Sequence, residues 1–203
     1  MIPIKLPADP EQIGDLCIGD AVSVTGTVVT ARDAAHHFLW HSMIQGNPGG
    51  KDADMYDELK EICRASFIYH SGPIMRKEGN EWQCISAGPT TSIREEPYEA
   101  DIIREFGLAG IIGKGGMGDD TLRALSECTA VYLSAVGGAG AAAAGAVTQV
   151  RNVFKPEFGM PEAMWVLDIE DFPAIVTMDS SGKSLHSEIE EHSREQFRHM
   201  CSS

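Results

Sequence analysis

Residues 97–134, PYEADIIREFGLAGIIGKGGMGDDTLRALSECTAVYLS, alternate between amphipathic segments and short apolar runs. Apolar residues at helical spacing predict helices, and the short apolar runs between them predict strands. The predicted helices are 97–106, 119–127 and 138–147, and the predicted strands are 108–112 and 129–134. Strands that alternate with helices form βαβ units on a parallel sheet with right-handed crossovers. This part of the chain therefore predicts an α/β fold.

The segments on either side contain more strands. Residues 20–29, DAVSVTGTVV, alternate and are rich in Val and Thr, which favours a strand. A helix is predicted from Arg32 to the glycine-rich stretch 46–50, and Asp33 is expected to cap it. Further predicted elements are a strand at 66–70, a hairpin at 75–82 with its turn near Gly79-Asn80, strands at 165–169 and 174–178, and a charged C-terminal helix at about 184–203. Together the elements predict a mixed, partly parallel sheet flanked by helices.

The composition favours a single domain over residues 1–203. A chain of 203 residues with 43% hydrophobic residues can bury one core, and two small domains are the less favoured alternative. Its 16 basic and 30 acidic residues give a net charge of −14, which repels nucleic acid and anionic membrane surfaces. Neither an N-terminal targeting pattern nor an apolar stretch of about 18 residues occurs. We therefore expect no nucleic-acid partner, no membrane span and a cytoplasmic location.

The cysteines and histidines show no complete metal-binding pattern. The five cysteines are widely spaced without a CxxC pair, which is typical of reduced thiols and gives no disulfide, zinc or ferredoxin-type pattern. His36, His37 and His41 lie on one predicted helix, and the last two are one turn apart, but no carboxylate completes a ligand set. We predict no metal site in this chain.

Hydroxyl groups and cations follow two of the predicted strands. GPTTSIR, residues 88–94, begins with a Gly-Pro break, and GKGGMG, residues 113–118, follows the strand at 108–112. In parallel sheets, ligands lie beyond the carboxyl ends of the strands, where glycines let backbone amides approach them. Because the net charge is negative, local cations such as Lys114 must attract an anion. The residues alone do not separate phosphate from carboxylate, although no GK[ST] phosphate loop is present.

Five motifs occur in the order and with the spacing of one enzyme family. They are VTARDAAHH (29–37), YHSGPI (69–74), GPTTSIR (88–94), GKGGMG (113–118) and FGMPEAMWV (158–166). On these motifs the chain, from about residue 3 to 190, resembles the β subunit of class I fumarate hydratase. It resembles the related β subunit of L(+)-tartrate dehydratase almost equally. The resemblance implies a swivelling β/β/α-type domain.

The resemblance also implies a partner and a cofactor. In this family a separate α subunit carries a [4Fe-4S] cluster through three cysteines and leaves one iron open for the substrate. The cluster is therefore expected on the partner α subunit and not on this chain. The resemblance further implies a small dicarboxylate substrate and an α2β2 assembly in which β–β contact can occur.

The matching motif positions imply residue roles. Thr90 matches the base that removes the C3 proton of malate, and Lys114 matches an active-site cation that we expect to stabilise the Thr90 alkoxide. Arg32 and Arg94 match ligands of the substrate carboxylates. Residues expected to support these groups from behind are His36, Asp33, Thr91, Gly113 and Gly115. Outside these motifs, Thr90 would be a turn residue and Arg94 a solvated surface charge.

Two positions depart from the family pattern and leave the diacid open. Ala31 precedes the Arg-Asp pair, and Glu95-Glu96-Pro97 follows Arg94, beside the expected substrate site. Hydration of fumarate to (S)-malate is the preferred function because that chemistry is the more widespread role of this family. Conversion of L-tartrate to oxaloacetate is the alternative within the enzyme class. A stand-alone domain that binds small anions is the alternative from a different class.

Overall fold

The computed structural model describes residues 1–201. The strands are β1 (Ile2–Lys5), β2 (Ala21–Thr30), β3 (Phe67–Tyr69), β4 (Ile74–Glu78), β5 (Glu81–Ser86), β6 (Gly110–Gly113), β7 (Val131–Ser134), β8 (Val147–Phe154) and β9 (Met164–Met178). The α-helices are α1 (Pro10–Gly14), α2 (Asp33–Phe38), α3 (Lys51–Cys63), α4 (Glu96–Phe106), α5 (Asp119–Cys128), α6 (Gly140–Gly145) and α7 (Leu185–Cys201). A π-helical segment, Leu39–Ile44, continues α2, and 3₁₀ turns occupy Ser92–Glu95 and Pro156–Phe158.

The main sheet combines parallel and antiparallel strands. Strands β1, β2, β3, β6 and β7 are parallel and lie in that order across the sheet. The long strand β9 runs antiparallel to β7, to β8 and also to β2. The pairings β2–β3, β3–β6, β6–β7, β7–β9 and β9–β2 therefore close into a ring, and β4 and β5 form a separate hairpin.

Two apolar cores lie on opposite faces of the parallel strands. Phe67 and Tyr69 of β3 pack in one core with residues of β1, β2 and β9. Ile68, between them in sequence, packs in the other core with residues of α3, α4 and α5. Because successive side chains of a strand point to opposite faces, this alternation builds three layers. The predicted mixed sheet with flanking helices is confirmed.

Most of the predicted elements are present with small changes in their ends. The alternating segment after residue 96 forms α4, β6, α5 and β7, and β3, β6 and β7 are parallel as predicted. The predicted hairpin is β4–β5, and its turn contains Gly79. The C-terminal helix begins at Leu185, and the last two residues of its predicted range lie outside the described part of the chain. Among the described residues, no helix is both long and apolar enough to cross a membrane.

Two predictions about elements were wrong, and three elements were missed. The strands predicted at 165–169 and 174–178 are one strand, β9, which bends at Asp171 (φ 50°) and remains paired to β2 on both sides of the bend. The helix predicted at 138–147 is shorter, because Val147 pairs with Ile169 and starts β8. Sequence reasoning missed β8 itself, because most of its residues are polar or half-exposed and two register shifts interrupt its pairing. It also missed β1 and α1 near the N-terminus.

Candidate active site

The candidate site lies where three parallel strands end together. Arg32 follows β2, His70 follows β3 and Lys114 follows β6. Since these strands are parallel neighbours, their carboxyl ends share one edge of the sheet. The order of the strands therefore gathers residues that are far apart in sequence.

The segment after Gly88 adds to the same edge. The Thr90 amide donates a hydrogen bond to the His70 carbonyl oxygen (2.7 Å), and Thr90 Oγ1 donates to the same oxygen at 3.3 Å. Thr91 forms an isolated parallel bridge with Lys114, and the Ser92 amide donates to the Lys114 carbonyl oxygen (3.0 Å). The turn of Thr90 is thus held between the ends of β3 and β6. Thr91 itself is exposed.

Both predicted substrate arginines contact Asp33. Arg94 donates two hydrogen bonds to the Asp33 carboxylate, from Nε (2.8 Å) and from Nη2 (3.1 Å). Arg32 Nη2 lies 3.7 Å from the same carboxylate, and Arg32 Nη1 lies 3.4 Å from Glu162 Oε1. The hydrogen bond from Arg94 lowers the pKa of Asp33. Two cations are therefore held side by side and half-exposed.

Asp33 does not cap α2 as expected. Arg32 is the N-cap residue of this helix, and no side chain of the cap accepts a hydrogen bond from the first turn. Glu162 accepts from the Ala34 amide instead (3.1 Å). The Asp33 carboxylate is instead engaged by Arg94, whose guanidinium donates two charge-assisted hydrogen bonds to it.

Glycines make room for the polar groups of the site. A Cβ atom on Gly72 would lie 2.6 Å from Arg32 Nη1, and one on Gly113 would lie 2.0 Å from Ser92 Oγ. Gly115 has a φ of +85°, which side-chain-bearing residues rarely adopt. The Lys114 side chain passes over Gly137, where a Cβ atom would be 2.9 Å from Lys114 Cδ. No carboxylate among residues 1–201 forms an ion pair with Lys114 in the structure, in contrast to the two arginines.

A fully buried group of histidines and glutamates lies behind the exposed residues. Glu99 Oε2 is 3.0 Å from His36 Nε2 and 3.0 Å from His70 Nε2, and all three side chains are 0% exposed. Glu95 Oε2 lies 3.6 Å from His36 Nδ1, and neither oxygen of Glu95 has a hydrogen-bond partner among the described residues. Sequence reasoning placed His36 behind the site, but it missed Glu99 and His70.

Burial and charge together set the protonation states of this group. Burial lowers the pKa of His36, but the Glu99 and Glu95 charges outweigh it and raise that pKa to about 9. Burial lowers the pKa of His70. Burial opposes ionisation of Glu99, yet His70 and His36 hold its pKa at about 2. Burial raises the pKa of Glu95 to about 7. At neutral pH, Glu99 is an ionised acceptor between a charged His36 and a neutral His70.

Comparison with known proteins assigns the family. The family model described as Fumarase C-terminus matches residues 2–189. The chain belongs to the fumarase C-terminal family. It is 46% identical over 97% of its length to a Geobacillus stearothermophilus protein named "Putative fumarate hydratase class I", of which it spans only 36%. It is 40% identical to a Methanocaldococcus jannaschii protein named "Putative L(+)-tartrate dehydratase subunit beta", over 88% of both chains. It is 36% identical to the L(+)-tartrate dehydratase subunit beta of Escherichia coli (strain K12), over 91% of this chain and 86% of that one.

In this member of the fumarase C-terminal family, the cysteines do not fit an iron–sulfur cluster. All five are free thiols on separate elements or loops; Cys63 is buried and Cys84 is half-buried. Burial raises the pKa of Cys63 to about 12 and that of Cys84 to about 11, which makes the proton loss that ligation requires costly. A cluster also needs several thiolates around one point, and Cys63, Cys84 and Cys128 lie on three different elements. Among residues 1–201, the group of potential metal ligands found close together is His36, His70 and Glu99, with no cysteine.

Sequence signals for the missed residues existed, within the family motifs for His70 and Glu162 and in the periodicity of α4 for Glu99. His70 is the second residue of YHSGPI, and Glu162 is the fifth of FGMPEAMWV. Glu99 precedes Ile102, Ile103 and Phe106 at intervals of three, four and seven, so it lies on the buried face of α4. A carboxylate on an apolar helix face requires a buried partner, and that requirement could have identified it.

Proposed function

We propose that this chain is the β subunit of a two-subunit iron–sulfur hydro-lyase that reversibly hydrates fumarate to (S)-malate. The observation that supports this most is that Thr90, Lys114, Arg32 and Arg94 converge on one edge of the sheet. Two guanidinium groups and an ammonium group suit a dicarboxylate, because Arg binds both oxygens of a carboxylate while Lys supplies a point charge. We further propose that residues 1–203 form a single domain.

In the proposed reaction, Thr90 Oγ1 removes the C3 proton of malate. In the structure the neutral hydroxyl donates to the His70 carbonyl oxygen. To act as the base it must first give up that proton to solvent, so the bond that holds Thr90 during the step is the one from its amide to the same oxygen. The C3–H electron pair moves toward the adjacent carboxylate, where charge develops in the transition state. Preorganised cations stabilise such charge because they need no rearrangement during the reaction. We assign carboxylate binding to Arg32 and Arg94.

Lys114 is proposed to stabilise the Thr90 alkoxide. A threonine hydroxyl is a poor base at its ordinary pKa, so a nearby cation must favour its ionised form. The peptide of Lys114 is hydrogen-bonded to Ser92 on both sides, since its amide donates to Ser92 Oγ (3.1 Å) and its carbonyl accepts from the Ser92 amide (3.0 Å). Ser92 Oγ also accepts from Tyr132 OH (2.7 Å), which anchors this turn to β7.

The α subunit is proposed to bring the [4Fe-4S] cluster, because the cysteines of this chain do not form a ligand set. Departure of the C2 hydroxyl is therefore not assigned to residues of this chain. Two exposed large apolar side chains, Ile93 and Val136, lie next to residues of the site and suit a partner surface. Ile93 directly precedes Arg94, and Val136 directly precedes Gly137, over which Lys114 lies. We propose an α2β2 assembly in the cytoplasm, where five free thiols are stable.

Conversion of L-tartrate to oxaloacetate is the second candidate. The tartrate dehydratase β subunits match this chain over 88% and 86% of their own length, whereas the fumarate hydratase relative extends far beyond it. The higher identity of 46% to that relative favours fumarate. Both candidates require the same first step, removal of a proton next to a carboxylate.

Co-expression with a cluster-bearing α subunit tests the proposal. After anaerobic reconstitution, we expect a brown, oxygen-sensitive complex that interconverts malate and fumarate faster than it dehydrates L-tartrate. The isolated chain should be colourless and inactive. A complex that turns over only L-tartrate would establish the second candidate. Failure to copurify, with no activity on either diacid, would instead favour a stand-alone anion-binding domain.

A further inference from the structure

We infer that Glu99 is a positioning residue which, through His70 and His36, fixes both the turn of Thr90 and the turn of Arg32. The inference rests on the proposed function for its catalytic consequence. The contacts that support it form two branches from a single carboxylate oxygen, Glu99 Oε2. No contact of Glu99 itself with the exposed groups is required.

The first branch leads to the threonine. Glu99 is ionised and can only accept, so His70 Nε2, at 3.0 Å, is the donor and His70 is held as its Nε2–H tautomer. With its ring fixed in this way, the His70 carbonyl oxygen accepts from both the amide and the hydroxyl of Thr90. The position of Thr90, the proposed base, is therefore set by His70, whose side chain is hydrogen-bonded to Glu99.

The second branch leads to the arginine. His36 Nε2 lies 3.0 Å from Glu99 Oε2, and His36 Nδ1 donates to the Arg32 carbonyl oxygen at 2.9 Å. A backbone oxygen can only accept, so Nδ1 must carry a proton, and the charge of Glu99 favours protonation of the other nitrogen. The His36 amide also donates to the Arg32 carbonyl oxygen (2.8 Å). Side chain and backbone of His36 thus hold the same peptide of Arg32.

The same three residues could alternatively hold a metal ion, since their ligand atoms lie within 4.8 Å of one another. One observation favours the metal-free arrangement. His70 Nε2 is aligned with Glu99 Oε2 at 3.0 Å as a hydrogen bond, so this nitrogen is directed at the carboxylate oxygen.

The position of this group between the two turns has a catalytic consequence. Misplacement of a reacting group by about 1 Å can cost about 100-fold in rate. Glu99→Gln keeps the shape of the side chain but removes the charge that attracts both histidines. We expect kcat of the assembled enzyme to fall by about 100-fold and KM for the diacid to rise, because the base and a carboxylate ligand move together.

Two experiments test the inference, and one of them does not depend on activity. In the isolated full chain, the NMR resonance of the Thr90 amide reports its hydrogen bond to His70. We expect that resonance to shift in Glu99→Gln. The matched control is Glu105→Gln, on the same helix, whose carboxylate pairs with Lys60 at the surface. It should leave the Thr90 resonance, kcat and KM unchanged. If Glu99→Gln does not fold, His70→Gln tests the first branch alone.

The outcomes separate this inference from the proposed function. An active wild-type enzyme whose Glu99→Gln variant keeps kcat, KM and the Thr90 resonance would overturn the inference. One equivalent of bound zinc in the purified chain would overturn it as well, in favour of a metal site. If Glu99→Gln shifts the Thr90 resonance but the wild-type complex has no activity on either diacid, Glu99 positions Thr90 and the proposed function is rejected. A loss of thermal stability without change in KM would identify Glu99 as structural only.

Discussion

The site contains two groups of charged and polar side chains, an outer group at the surface and an inner group that is fully buried. In the outer group, Asp33 pairs with Arg94 and Arg32, and side-chain exposures range from 24% to 47%. In the inner group, Glu99 pairs with His36 and His70 at 0% exposure. The outer group can exchange its partners with solvent or a ligand, whereas the inner group cannot.

The difference in exposure separates binding from positioning. Exposed ion pairs contribute about 0–1 kcal/mol, so a substrate carboxylate can displace Asp33 from the arginines at low cost. Removing one partner of a buried pair costs roughly 3–5 kcal/mol, because the remaining charge is left without compensation. We conclude that the outer group is suited to ligand exchange and the inner group to a fixed geometry.

Thr90 lies at the boundary between the two groups, and its replacement should have the largest effect. Thr90→Ala removes the proposed base but keeps the amide that donates to His70. Loss of general acid–base catalysis typically costs about 100- to 10,000-fold in rate, and we expect kcat to fall within that range. Steady-state kinetics on malate provide the measurement. Thr90→Ser, which keeps a hydroxyl, should retain far more activity, and equal losses in both variants would argue against Thr90 as the base.

Lys114 lies at the same edge of the sheet as the outer group but has no carboxylate partner among residues 1–201. Lys114→Ala should lower kcat by about 100-fold, since the alkoxide of Thr90 would lose the charge that stabilises it. Thermal stability should change little because the side chain pairs with no described carboxylate. The test is to measure both kcat and the melting temperature of Lys114→Ala and to compare each with the wild-type value. Unchanged turnover in the assembled enzyme would remove Lys114 from the mechanism.

Arg94→Lys should produce a smaller effect that is confined to binding. Lysine keeps the charge but loses the planar fork that contacts both oxygens of a carboxylate. We expect KM for the diacid to rise about tenfold, because that factor corresponds to the loss of one good hydrogen bond to a charged group. The melting temperature should stay close to that of the wild type because the Asp33–Arg94 pair is exposed. A large loss of stability would mean that the outer group is structural too.

The sequence allowed the fold to be predicted where periodicity was strong. The segment from α4 to β7 has short buried strands and an amphipathic α4, and its elements were found with ends shifted by one or two residues. Strand β8 was missed because an exposed strand with polar side chains has no apolar alternation. The continuity of β9 depends on its pairing to β2, a long-range contact that no local pattern contains.

The same limit applies to the site. Recognisable motifs contain the four predicted site residues Thr90, Arg32, Arg94 and Lys114. In the structure, the turns that hold these residues lie at one edge of the sheet. Their use in catalysis stays a prediction. The Arg94–Asp33 ion pair and the His70–Glu99 hydrogen bond join residues separated by 61 and 29 positions. Such pairs depend on the order of strands in the sheet, so reasoning from neighbouring residues could not find them.

Glu95, whose carboxyl lies 3.6 Å from His36 of the inner group, provides the smallest effect. Burial raises its pKa from 4.5 to about 7, so between these pH values the unfolded chain is ionised and the folded chain is not. Unfolding then releases a proton, and the contribution of Glu95 to stability falls as pH rises through this window. Glu95→Gln should flatten the decline of the melting temperature between pH 5 and about 7.

Glu105 on α4 is the matched control. Its pKa is lowered because Lys60 and Tyr56 donate hydrogen bonds to it, so its contribution to stability is lost only as pH falls below the ordinary pKa of a glutamate. Glu105→Gln should therefore leave the slope between pH 5 and about 7 unchanged, and an equal change of slope in both variants would contradict the assignment of this window to Glu95.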